Sequence, residues 1–103
     1  MTKYHAKKTT LDGITFDSLM EARRYGELKL LLRNGEIDQL EVHPVYPLVV
    51  NDKRIGKYIA DFKYMENGRE VVEDVKGVLT AVYRLKKKLM QAIYGTNILE
   101  TKG

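Results

Sequence analysis

Apolar and polar positions recur with two different periods along this chain, and the changes of period divide it into elements. Between Leu19 and Asn34, Met20, Leu28, Leu31 and Leu32 fall at helical spacing. Asp17 or Ser18 is placed to cap the start of that helix, and Asn34-Gly35 to stop it. A second helix is predicted from Thr80 or Ala81 to Tyr94, with Gly95 as its C-terminal stop. Val82, Leu85, Leu89, Ala92 and Ile93 make its apolar stripe, and Arg84, Lys87, Lys88 and Gln91 make a polar one. The remaining segments read as strands. Lys8–Leu11 and Ile14–Phe16 flank Asp12-Gly13, the signature of a tight hairpin. Leu40–Val50 is extended but interrupted by Pro44 and Pro47, which predicts a bent or edge strand. Tyr58–Met65 and Arg69–Val75 flank Asn67-Gly68, the strongest local signal for a two-residue hairpin. Asn97–Glu100 predicts a short last strand. The order is a small N-terminal hairpin, then helix, three strands, helix and strand: an α/β (α+β) architecture in one domain spanning residues 1–103.

Composition narrows the chemistry. The chain has 103 residues, 44% of them apolar and 31% charged, an ordinary globular balance. It has no cysteine, which excludes disulfides, thiolate metal sites and a cysteine nucleophile. His5 and His43 are its only imidazoles, so a three-histidine site is excluded too. No apolar run is long enough for a membrane span or a signal peptide, and the cytoplasm is the expected compartment. The net charge of +4 is unevenly spread. Lys3, Lys7 and Lys8 make one basic end, and Arg84, Lys86, Lys87, Lys88 and Lys102 make the other. The middle is neutral to acidic. Basic patches favour polyanions, but a total of this size does not establish a nucleic-acid partner.

The hairpin register brings out a sharper constellation. With Asn67 and Gly68 as the loop, Glu66 faces Arg69, Tyr64 faces Val71 and Lys63 faces Val72. Asp61 would then face Asp74, with side chains about 5 Å apart. Lys76 would share that face two residues further on, and Glu73 would point to the other. Opposed carboxylates repel each other, and a divalent cation relieves that repulsion. Mg²⁺ or Mn²⁺ suits paired carboxylates, water and substrate phosphate. An adjacent ammonium suits charge developing on a phosphoryl group. Glu21 shares a helix face with Tyr25, Leu28 and Leu32, so it should lean toward the sheet as a third carboxylate.

Each piece has an ordinary structural reading as well. Ser18-Leu19-Met20-Glu21 fits a capping box, in which Glu21 bonds back to the Ser18 amide. Asp61 and Asp74 could form exposed ion pairs with Lys63 and Lys76. The Arg84-Lys87-Lys88 stripe could be a solvated helix face, and His43 a polar residue in a bent strand.

The series Glu21, Tyr58-Ile59-Ala60-Asp61-Phe62 and Val72-Glu73-Asp74-Val75-Lys76-Gly77 resembles the PD-(D/E)XK nuclease superfamily. More narrowly, the segments Lys3–Lys8, Asp12–Tyr25, Ile59–Phe62 and Val72–Gly77, followed by the basic run Tyr83-Arg84-Leu85-Lys86-Lys87-Lys88, resemble a family of small phage-encoded proteins of unknown or resolvase-like function, related to virus-type replication-repair nucleases. The resemblance implies a restriction-endonuclease-like αβββαβ core, with a central mixed sheet flanked by two helices. It implies Asp61 and Asp74 as metal-binding carboxylates, the Val75 carbonyl as a further ligand, Lys76 as the catalytic lysine and Glu21 as the acidic residue of the first core helix. Ala60 stands where the motif name has proline. The implied activity is a Mg²⁺-dependent DNA endonuclease, with Mn²⁺ as a substitute, working in a phage-infected bacterial host. Lys3, Lys7, Lys8, Tyr83, Arg84, Lys86, Lys87 and Lys88 are the expected nucleic-acid contacts. Phosphate contacts position DNA without reading its sequence, which points to structure-selective nicking or junction resolution. One site cuts one strand, so a homodimer could cut symmetrically. RNA as substrate, an idle DNA-binding module and a protein-interaction module stay open. No membrane and no organic cofactor are expected.

Overall fold

A computed structural model describes residues 8–76 and 79–102. Its elements are β1 (Thr9–Leu11), β2 (Ile14–Phe16), α1 (Leu19–Arg33), β3 (Asp38–Val42), β4 (Val45–Val50), β5 (Lys53–Ile59), β6 (Phe62–Glu66), β7 (Arg69–Val75), α2 (Ala81–Tyr94) and β8 (Leu99–Thr101). The central sheet runs β3-β6-β7-β8, with β7 and β8 parallel and the other neighbours antiparallel. It is therefore mixed. Setting aside the β1–β2 and β4–β5 hairpins, each of which among the described residues pairs only within itself, leaves the order αβββαβ.

Local chemistry explains the elements. Asp12 and Gly13, and likewise Asn67 and Gly68, have positive φ, as two-residue hairpin turns between right-twisted strands require. The β6–β7 register is the expected one, from Glu66 opposite Arg69 to Phe62 opposite Glu73. Ser18 caps α1 by accepting the Glu21 amide at 3.2 Å. Thr80 caps α2 by accepting the Tyr83 amide at 3.1 Å, and Gly95 ends that helix at φ 66°.

The two helices cover opposite faces of the sheet. On one face Ala22, Tyr25 and Leu28 of α1 pack with Phe16, Ile37, Phe62, Tyr64 and Val75. On the other, Tyr83 and Met90 of α2 pack with Val72, Ala60, Ile98, Leu48 and Tyr58. The sides of β7 follow from strand alternation. Glu73 faces α1, where it is fully buried and fully satisfied. It takes two bonds from Arg24 (2.6 and 3.1 Å), one from the Tyr64 hydroxyl (2.6 Å) and one from Thr101 Oγ1 (3.0 Å).

Four expectations are corrected. The extended run over Leu40–Val50 is two strands in two sheets, because the chain turns at His43-Pro44. The run Tyr58–Met65 likewise breaks at Ala60-Asp61, and β5 is a strand of its own that the sequence pattern does not predict. The apolar stripe of α2 is rotated: Val82 and Leu85 are 63% and 59% exposed, while Tyr83 and Met90 are buried. The last strand lies at Leu99–Thr101, slightly beyond its expected bounds. Among the described residues, no helix is long and apolar enough to cross a membrane.

Candidate metal centre

The two breaks in the strands build the site. Where β3 ends and β6 begins, the two chain segments run side by side out of the central sheet as the β4–β5 hairpin. They are tied as they leave: the His43 amide donates to the Asp61 carbonyl at 3.0 Å, and the Ala60 amide to the Pro44 carbonyl at 3.1 Å. His43 adopts φ 57°, a left-handed conformation that histidine tolerates better than most residues. The chain reversal therefore sets the side chains of His43 and Asp61 beside each other at the end of the sheet.

Asp61 lies one position beyond the last β6–β7 pair. The two aspartates do not stand as a bare opposed pair. Instead each carboxylate holds the other's strand. Asp61 Oδ2 accepts the Val75 amide at 2.7 Å, and Asp74 Oδ1 accepts the Asp61 amide at 2.8 Å. Asp74 Oδ2 accepts the Tyr58 hydroxyl and lies 3.3 Å from Lys76 Nζ. Asp74 is thus buried with both oxygens engaged. Burial pushes its carboxyl above the usual range, and the Lys76 charge pulls it back. Lys76 is held from a second side by the Tyr83 ring, whose centroid is 3.9 Å from Nζ.

Glu21 enters from the first turn of α1. Its amide is capped by Ser18, but its carboxylate does not return to the Ser18 amide, so only half of the capping box forms. The side chain, 12% exposed, turns toward Asp61 and His43. Oε1 is out of solvent without a hydrogen-bond partner and lies 3.9 Å from His43 Nε2. Ligand atoms of Glu21, His43 and Asp61 all lie within 4.8 Å of one another. Burial first, and then the charges of Asp61 and Asp17, push the Glu21 carboxyl up to about 8. Asp61 is raised by burial too, against the Val75 amide and the Lys76 charge.

Glu21, Asp61, Asp74, Val75 and Lys76 are therefore brought together at one end of the sheet, with Val75 contributing its amide to Asp61. His43 was missed as a member. The one signal available was its place directly before Pro44, where the chain had to turn. A buried, unpartnered carboxylate oxygen beside a second carboxylate and an imidazole is a donor set that fits a divalent cation.

The expected nucleic-acid contacts divide. Lys3 and Lys7 lie outside the described residues, and Lys8 is exposed. Tyr83 is largely buried beneath Lys76, and its hydroxyl donates to Glu100 at 2.6 Å. Lys87 pairs with the same Glu100 at 2.9 Å. Arg84, Lys87, Lys88 and Gln91 line a surface groove of ≈ 390 Å³ with Thr96 and Asn97. Lys86 lines another of ≈ 290 Å³ with Lys57, Tyr58 and Tyr83. Tyr58 links that second groove to Asp74.

The fold and this site can be set beside known proteins. The family described as "Protein of unknown function (DUF1064)" matches residues 1–101, and the chain belongs to that family. No curated protein and no solved structure matches it.

Proposed function

We propose that this protein is a divalent-metal-dependent nuclease that hydrolyses phosphodiester bonds in DNA. The observation that carries this reading is the buried, unpartnered Glu21 Oε1 facing Asp61, with the Asp74–Lys76 pair beside them. The resemblance of the same residues to PD-(D/E)XK nucleases, and the αβββαβ order, support it.

Glu21 and Asp61 would hold the cation, with Asp74 and the Val75 carbonyl adjoining. A bound Mg²⁺ or Mn²⁺ would supply Lewis acidity toward a phosphate oxygen and a more acidic water. The chain's own residues do the positioning. Asp74 fixes the Asp61 backbone, and Tyr58 fixes Asp74. Lys76, clamped between Asp74 and the Tyr83 ring, presents an ammonium for negative charge that builds on the phosphoryl group. Lys57, Lys86, Arg84 and Lys88 border the grooves near or around α2 and suit phosphates rather than base edges. That favours recognition of DNA shape, such as nicks or branched junctions, and nicking by a single subunit.

A second reading, a binding module without catalysis, is favoured by Asp74, whose two oxygens are both engaged. The readings separate when supercoiled plasmid and a synthetic four-way junction are incubated with the protein in Mg²⁺, Mn²⁺ or EDTA. Metal-dependent cutting supports the nuclease. Salt-sensitive binding without cutting supports the idle module.

A further inference from the structure

The ligand set read from the sequence consisted of oxygen donors alone. The site's geometry is different. Asp74 spends its oxygens on the Asp61 amide, the Tyr58 hydroxyl and Lys76, whereas the open ligand atoms belong to Glu21, His43 and Asp61. Two features of His43 hold its imidazole in place. Its amide is tied to the Asp61 carbonyl, and its ring packs against the fully buried Phe16, with centroids 5.8 Å apart and planes at 56°. Nε2 lies 3.9 Å from the unpartnered Glu21 oxygen. That separation would let both atoms reach one cation after a small side-chain adjustment.

We propose that His43 is a metal ligand, so that a Glu21–His43–Asp61 set of one nitrogen and two carboxylates makes this a centre for Mn²⁺ in preference to Mg²⁺. The chemistry follows from the donors. Mg²⁺ takes oxygen ligands almost exclusively and gives up its waters reluctantly. Imidazole suits first-row transition ions, while the two carboxylates and a substrate phosphate keep the site hard enough for Mn²⁺. Three protein ligands leave positions open for water and phosphate. His43 is about one-third exposed, so solvent reaches the set. The inference rests on the reading of this cluster as a metal centre, but not on the centre's activity.

The test is Mn²⁺ binding to the full chain, followed by pulsed electron paramagnetic resonance for coupling to ¹⁴N, with Mg²⁺ affinity measured by competition. His43→Asn is the variant of choice, because asparagine also accepts positive φ and so keeps the turn. His43→Ala, checked for folding by circular dichroism, is the second. The expected results are nitrogen coupling in the wild type and its absence in His43→Asn. Mn²⁺ affinity should fall by at least about tenfold in the variant, with little change for Mg²⁺. Mn²⁺ bound without nitrogen coupling, or bound equally by wild type and both variants, overturns the assignment, as does a failure to bind Mn²⁺ at all. Cutting of DNA in Mg²⁺ without nitrogen coupling overturns this inference alone. Nitrogen coupling without cutting leaves it standing and overturns the nuclease.

Discussion

The Asp74 carboxylate accepts the backbone amide of Asp61 at 2.8 Å, and so ties the start of β6 to the end of β7 at the point where the hairpin ladder has run out. Asp74 thus has a structural duty besides its place near the candidate centre. Asp74→Asn keeps an acceptor for the amide and should fold with nearly wild-type stability. Asp74→Ala leaves the Asp61 amide and the Tyr58 hydroxyl without their acceptor and should cost about 1–3 kcal/mol in urea unfolding. Both should impair cutting, because both release Lys76 from its charged partner.

Arg24 and Glu73 form the other polar cluster of the sheet, on the α1 face. Glu73 is fully buried, and the paired guanidinium is held firmly in its charged form. Removing the cation strands the carboxylate in the core. Arg24→Ala should lose about 3–5 kcal/mol by denaturant unfolding. Replacing Glu73 with Gln removes the buried charge and keeps one acceptor oxygen, for either Tyr64 or Thr101, which donate to different Glu73 oxygens, and should cost less. Equal effects would show that charge pairing is not what holds this cluster.

The pH dependence of stability has a definite sign. In the folded chain Glu21 is raised from 4.5 to about 8, and Asp61 and Asp74 are raised as well. A carboxyl that binds its proton more tightly when folded favours the fold most below its unfolded value, and that contribution fades as pH climbs to the folded value. In EDTA, thermal midpoints should therefore fall between about pH 4.5 and 8 and level off above. Glu21→Gln should flatten this slope. Added Mn²⁺ should raise the midpoint most at the alkaline end, where the carboxylates are free of protons.

Gly95 ends α2 at φ 66° with open space where a side chain would lie. Gly95→Ala should therefore cost only the left-handed backbone penalty, about 1 kcal/mol. A loss several times larger would indicate a packing role that the surroundings of Gly95 do not suggest.

Much of the fold is legible in the sequence. Asn67-Gly68 determined its hairpin register because left-handed two-residue turns leave few alternatives, and the helix limits followed from Ser18, Thr80 and Gly95. What escaped was non-local. Lys53–Ile59 has most of its residues exposed and, among the described residues, pairs only with β4, so it lacks the alternation of a half-buried strand. Its turn, Asn51-Asp52, has both residues at positive φ but no glycine to announce it. The rotation of α2 depends on Tyr83 reaching Lys76 and Glu100, partners distant in space along the sheet edge. Glu21 was correctly expected to lean inward, because helical periodicity ties it to Tyr25 and Leu28. His43 joined the cluster only through the paired chain reversals at Pro44 and Ala60.

The most direct test of the nuclease reading is cleavage of supercoiled plasmid and a four-way junction by purified wild type and Lys76→Ala, each with Mn²⁺ and with EDTA. Lys76 contacts Asp74 and the Tyr83 ring and is itself partly exposed; because its removal leaves the buried Asp74 without its cation, circular dichroism is used to check that the variant is folded. The account predicts cutting by wild type only with metal, and a rate lowered about 10²–10³-fold in Lys76→Ala. No cutting by wild type in any metal, or equal cutting by the two proteins, would contradict it.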